Sequence, residues 1–216
     1  MRHTLLKFLD HSEKYIKTDV RYLAKGGFWS VSNYLITIGF GLITTILLAN
    51  FVPKDILGTY QFILAIASII AVCTLSGIGT AITQAVARGK DGVYTYGVWE
   101  KLKWNTIIIA ICAGISLYYF FNGDTTLAIA FLIVGASTPF IESFKLYEEY
   151  LRGKEAFKEG VTLGFWRKPI PLVAVGIAAL LTDDLLILIG TYFLSHTISY
   201  GIVFWQVHKK FSPGYE

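Results

Sequence analysis

What most constrains this chain is where its charges are missing. From Gly26 to Pro53, "GGFWSVSNYLITIGFGLITTILLANFVP", there is no Asp, Glu, Lys or Arg. Four more such runs follow: "ILGTYQFILAIASIIAVCTLSGIGTAITQAVA" after Asp55, "WNTIIIAICAGISLYYFFNG" up to Asp124, "TTLAIAFLIVGASTPFI" up to Glu142, and "LLILIGTYFLSHTISYGIVFWQVH" from Leu185. About 20 apolar helical residues cross a bilayer core. Lipid offers the backbone no partners, so a crossing segment must bond its own N–H and C=O groups as a helix. Only 16% of the residues are charged, against about 25% in soluble domains. That is too few to coat a water-facing surface around a chain that is 54% hydrophobic. The expected fold class is an all-α polytopic membrane protein.

A further segment, "PIPLVAVGIAALLT", is too short to cross alone. It reaches crossing length by borrowing "TLGFWRK" upstream, with Arg167 and Lys168 snorkelling toward the headgroups. The distribution of basic residues favours counting it. With six spans, eighteen of the nineteen Lys and Arg residues fall on one side and only Lys54 on the other. By the positive-inside rule both termini are then cytoplasmic. The expected spans are about 27–51, 57–78, 104–121, 125–144, 162–181 and 185–207, within a six-helix lobe over 27–207. A cytoplasmic amphipathic segment over 1–26 precedes it, and a tail or linker over 208–216 follows. Residues 1–26 lack the short apolar core of a cleavable signal peptide, so the first apolar run reads as an uncleaved signal anchor. "ESFKLYEEYLRGKEAFKEG" reads as an extension of the fourth helix beyond the membrane, interrupted at Gly153 and Gly160. Cys73 and Cys112 lie in apolar runs and read as packed thiols.

The stretch "SGIGTAITQAVARG", residues 76–89, is rich in small and hydroxyl-bearing residues. In lipid, such residues let helix backbones approach closely. Two readings stay open: a packing face, or a cavity wall whose mouth presents Arg88 to an anionic headgroup, with Gln84 beside it. Arg167 and Lys168, next to Trp166, Pro169 and Pro171, are the other cationic candidates for phosphate oxygens; snorkelling is their alternative. In the first span Trp29, Asn33, Tyr34, Thr37 and Thr45 are polar or amphipathic, and Asn33 should seek either a partner helix or a cavity. His196 lies near the middle of the last span. An ionisable side chain there is a functional candidate, and histidine titrates near neutrality. His196 is therefore either proton-sensitive or a hydrogen-bonded core histidine. Glu142 and Lys145, three apart, can neutralise each other. No zinc-protease, phosphate-loop or nucleophile-elbow motif occurs. No metal, cofactor, enzymatic activity or nucleic-acid partner is expected.

Four motifs appear in order: the entry "GGFW" at Gly26–Trp29, the loop "VPKDILGTYQF", the exit "GIGTAITQAVARG", and "YLRGKEAFKEG" after the fourth run. Together, over roughly residues 24–210, they resemble the polysaccharide-export flippases of the multidrug/oligosaccharidyl-lipid/polysaccharide superfamily. The resemblance implies a transporter that moves a polyprenyl-pyrophosphate-linked oligosaccharide across the bacterial plasma membrane for cell-surface polysaccharide such as O-antigen or exopolysaccharide. It implies two six-helix lobes around a central cavity working by alternating access. This chain supplies one lobe, the N-terminal one, so the partner expected is a second lobe, further along the same chain or in a second copy. The lipid bilayer is the medium, and a polysaccharide polymerase and glycosyltransferases would act beside it. Other readings are a drug or peptidoglycan-precursor exporter of the same superfamily, or a non-transporting membrane scaffold subunit of a polysaccharide assembly complex.

Overall fold

The computed structural model describes residues 20–72, 74–75 and 77–211, with side chains from residue 26 onward. The expected amphipathic segment up to residue 19, Cys73 and the tail beyond Phe211 lie outside the described residues. The helices are α1 (Val20–Phe51), α2 (Lys54–Val72), α3 (Gly77–Ala87), α4 (Val93–Trp104) and α5 (Thr106–Phe121). They continue as α6 (Thr125–Phe144), α7 (Tyr147–Gly153), α8 (Phe157–Arg167), α9 (Pro169–Leu181) and α10 (Leu185–Phe211). No strand occurs among the described residues. Six helical stretches are long and apolar enough to cross a membrane: Gly26–Phe51, Lys54–Val72, Val93–Phe121, Thr125–Gly153, Phe157–Leu181 and Leu185–Phe211. The fold is that of an all-helical, six-span membrane protein.

Two tight turns show how local chemistry sets the spans. Gly123 closes α5 with φ of 86°, a left-handed conformation that favours glycine at a helix end. Asp124 then caps α6 by accepting from Leu127 N at 2.9 Å. Asp184 does the same for α10, accepting from Leu186 N at 2.7 Å. Asp124 and Asp184 therefore act as helix caps.

The structure departs from the expected boundaries at one end of the bundle. The second apolar run stops being one helix at Val72, and the small-residue stretch becomes the separate helix α3. Bonds from Thr74 N to Ala71 O and from Ile78 N to Leu75 O, of turn type, replace the helical ladder there. Ahead of the third apolar run, "VYTYGVWEKLKW" is helical as well, so helix begins at Val93 and breaks once, at Asn105, before the run. The fourth bends between Phe144 and Tyr147 and ends at Gly153 as its glycine suggests, whereas Gly160 lies inside α8 and interrupts nothing. In a helix facing a packed layer, the cost of glycine, about 1 kcal/mol, is outweighed by tertiary contact.

These breaks divide the lobe into two layers. One core joins the spans, with Ile63, Ile108, Val134, Val175 and Leu188 all buried. Because lipid is as apolar as a side chain, this layer is held by close packing instead of exclusion from water. A Cβ added at Gly135 would stand 2.8 Å from Cys112 Cβ, and Ser116 Oγ donates to Ala128 O at 2.8 Å. The second core is built from α3, α4, α7 and the last turns of α10. It is rich in tyrosine: Tyr94, Tyr147, Tyr150 and Tyr200 are buried there with Ile82 and Val207. Tyr94 and Tyr150 stack at 4.6 Å.

All five tryptophans fall in the early parts of the first, third and fifth spans or near the end of the sixth. Because spans alternate in direction, that is one end of the bundle. Trp99, Trp104, Trp166 and Trp205 are more than half exposed, as amphipathic rings at headgroup depth are. The helix breaks at Asn105, Leu146 and Lys168 share this level, so the tyrosine-rich layer forms the tryptophan-rich end of the bundle.

Candidate functional site

The stretch of small residues resolves into a packing face. Gly79 of α3 lies against Glu149 of α7, where an added Cβ would meet Cγ at 3.0 Å. Gly153 of α7 is closer still, with Thr83 O at 2.8 Å and Val86 Cβ at 2.9 Å from an added Cβ. Thr83 Oγ1 donates toward Glu149 O and Oε2, both at 3.1 Å, and Glu149 also pairs with Arg152 at 3.2 Å. Lys154 pairs with Asp91, tying the loop after α3 to the end of α7. Gln84 and Arg88 are exposed on and just after α3, and neither lines the cavity described next.

That cavity, of about 420 Å³, lies between α1, α2, α9 and α10, with the end of α8 at its mouth. On α1 its wall runs from Thr37 to Leu48, about 16 Å of helix at 1.5 Å per residue. Its wall changes character along its length. Arg167 and Lys168 occupy the tryptophan-rich end. Thr37, Gln61, Tyr192 and His196 line the middle, and Leu48, Leu57 and Val175 the far end. Arg167 and Lys168 both line the cavity and flank the break between α8 and α9. Pro169 and Pro171 lack N–H groups and cannot continue the ladder across it.

Arg167 and Lys168 are each only 8% exposed, and neither has an ion pair with a carboxylate among the described residues. The Arg167 guanidinium lies 3.7 Å from the centroid of the Tyr200 ring, and its Nε has no hydrogen-bond partner. Lys168 Nζ donates to Asn33 Oδ1 at 3.2 Å, bridging α9's N-terminus to α1. A buried ion costs several kcal/mol even after relaxation, and a desolvated cation–π contact returns about 2 kcal/mol. Glu148 acts on both cations only through space, and among the described residues no carboxylate reaches ion-pair distance of either. The arrangement suits an anion with several oxygens, since guanidinium and ammonium donors both fit phosphate.

His196 lies in the same wall, its Nδ1 3.1 Å from Tyr192 O. A carbonyl only accepts, so Nδ1 carries the proton and Nε2 is left as an acceptor in the neutral ring. The Tyr192 ring lies 4.3 Å away. Thr37 and Thr45 also line the cavity, but each hydroxyl donates to its own helix, at 2.7 and 2.9 Å. Only their lone pairs remain for a ligand. Tyr34 is 67% exposed and points elsewhere. Glu142 sits between Lys101 at 3.5 Å and Lys145 at 3.9 Å, so the expected Glu142–Lys145 pair has a second, more buried cation that the sequence spacing did not suggest.

The cavity thus joins Arg167, Lys168 and His196, with Asn33 attached through Lys168. Trp29 and Asn33 line a smaller groove next to it, while Arg88 and Gln84 stand apart. Tyr60 and Gln61 were passed over in the sequence except as part of a loop motif. An amide within an otherwise apolar run is the signal that could have flagged Gln61. A family model described as polysaccharide biosynthesis protein matches residues 23–215. No curated protein and no solved structure matches the chain.

Proposed function

The chain belongs to the polysaccharide biosynthesis protein family, and from that we propose that it translocates a polyprenyl-pyrophosphate-linked oligosaccharide across the bacterial plasma membrane. The observation that carries this reading is the pair of buried cations, Arg167 and Lys168, without carboxylate partners at the tryptophan-rich level of the bundle. A lipid diphosphate already lies at that depth in its own leaflet, so it meets the pair without first being dragged into hydrocarbon. Its oxygens supply a counter-charge in direct contact with the pair through charge-assisted hydrogen bonds. Beyond the pair, the hydroxyl, amide and imidazole groups of Thr37, Gln61 and His196 offer polar partners along the slot to the headgroup as it is carried across, while the prenyl chain remains in lipid.

Transport in this reading is rocking of the six-span lobe against a second lobe, in the same chain or a second copy, which exposes the slot to alternate sides. The small buried share of α1, 6% of its span against 22% or more for the other five, leaves a long face for that partner. The tryptophan-rich end faces the cytoplasm in this reading, as the positive-inside rule requires. No bond is made or broken, so the activity is not enzymatic.

The test is a flipping assay with the full chain reconstituted in vesicles holding a fluorescent diphosphate-linked saccharide lipid. Protein-dependent loss of lipid from one leaflet is expected, abolished in an Arg167→Gln/Lys168→Gln variant. Equal flipping by that variant would remove the pair from the mechanism. No flipping by the wild type, together with tight binding of a polysaccharide synthase, would favour a scaffold.

A further inference from the structure

Next to the cationic pair, on its water-facing side, a groove runs between the third and fourth turns of α1, helix α7 and the start of α8. Trp29 and Asn33 come from α1, Glu148 from α7 and Gly160 from α8. The two spaces meet at one bond, since Lys168 lines the slot, Asn33 lines the groove, and Lys168 Nζ donates to Asn33 Oδ1. Whatever holds an anion at Arg167 and Lys168 therefore holds the next atoms of that ligand within reach of the groove.

The groove's chemistry differs from that of the slot. Glu149, the neighbouring acid, is bound to Arg152 and Thr83, but Glu148 has no ion pair among the described residues. Its carboxylate is an unspent acceptor for two hydroxyl donors. Asn33 has used its carbonyl oxygen and retains its amide N–H groups as donors. Trp29, half-buried, adds a large ring with a polar edge, the kind of surface that covers an apolar C–H face while donating from its N–H. An acceptor on α7 facing a donor and a ring on α1 suit a polyhydroxylated ring. They do not suit a prenyl chain, which would leave the acid and amide unpaired, at a cost of about 1–3 kcal/mol each.

We propose that this groove binds the sugar residue attached directly to the diphosphate, with Trp29 and Glu148 as its specificity-determining side chains. The proposal rests on the lipid-linked saccharide reading above. The groove is small, about 60 Å³ against about 420 Å³ for the slot. It therefore grips one edge of one sugar, and the rest of the saccharide extends into water.

The experiment measures binding to the full chain in nanodiscs with two probes, polyprenyl diphosphate and the same lipid bearing one hexose. Wild-type protein should prefer the hexose-bearing lipid. Trp29→Leu and Glu148→Gln should each cut that preference about tenfold, the loss of one good polar or stacking contact. Gly160→Ala, whose new methyl would meet only Leu151 at 3.8 Å, narrows the groove without disturbing the fold and should cut the preference too. Arg167→Gln should weaken both lipids alike. A preference unchanged in all three groove variants overturns the proposal, as does a wild type that binds the two lipids equally. Failure of the wild type to bind either lipid overturns the transport reading as well.

Discussion

Replacing Arg167 with glutamine should separate ligand binding from stability in a way that few buried-residue changes do. Arg167 is 8% exposed, faces the Tyr200 ring at 3.7 Å and has no carboxylate partner among the described residues. Hydrogen bonds to a charged group contribute about 1.5–3 kcal/mol, so losing them to a diphosphate lowers affinity roughly 10- to 150-fold at about 1.4 kcal/mol per decade. The folded protein without ligand should behave in the opposite sense. Removing the charge relieves a desolvation cost of several kcal/mol and forfeits a cation–π contact of about 2 kcal/mol. The ligand-free Arg167→Gln protein should therefore melt no lower than wild type. The assay is thermal unfolding in detergent with and without added polyprenyl diphosphate, alongside direct binding. Wild type should gain stability from the lipid and the variant little. A ligand-free variant destabilised by more than about 2 kcal/mol would mean that Tyr147 and Glu148 already satisfy Arg167 in the free protein, and the argument for a counter-charge from the ligand would fall.

Other changes test the layers around the site. Lys101→Met leaves Glu142 with only the looser Lys145 contact at 3.9 Å; breaking a largely buried pair should cost about 3 kcal/mol, read as a lowered unfolding midpoint. Gly153→Ala forces a methyl to within 2.8 Å of Thr83 O; overpacking of about 1–3 kcal/mol should appear as a loss of thermal stability, and an unchanged midpoint would mean that α3 and α7 are not tightly apposed. Thr83→Val removes the hydroxyl bonds to Glu149 and should cost about 1 kcal/mol in the same measurement. Arg88→Gln, at an exposed position outside the cavity, should weaken diphosphate-lipid binding less than Arg167→Gln does in a side-by-side titration.

The sequence alone determined the all-helical class and the number of spans. Both follow from a property that accumulates along the chain: lipid requires self-satisfied backbone, and charge-free runs of crossing length leave only helices. Asp124 and Asp184 at the short turns were legible as loop residues for the same local reason, although their capping bonds required geometry. Arg167 and Lys168 were visible because their depth in a span is unusual. Tertiary structure decided which candidates belong together. Arg167, Lys168 and His196 come from two stretches some 30 residues apart and meet across α9 and α10, while Asn33 joins them from α1, 135 residues away. Gln84 and Arg88 lie in an equally suggestive stretch, yet the packing of Gly79 and Gly153 turns that helix toward α7. A sequence pattern records which faces of a helix are small or polar. Which neighbour each face meets depends on the bends at Asn105, Leu146 and Lys168, and the pattern does not encode those angles.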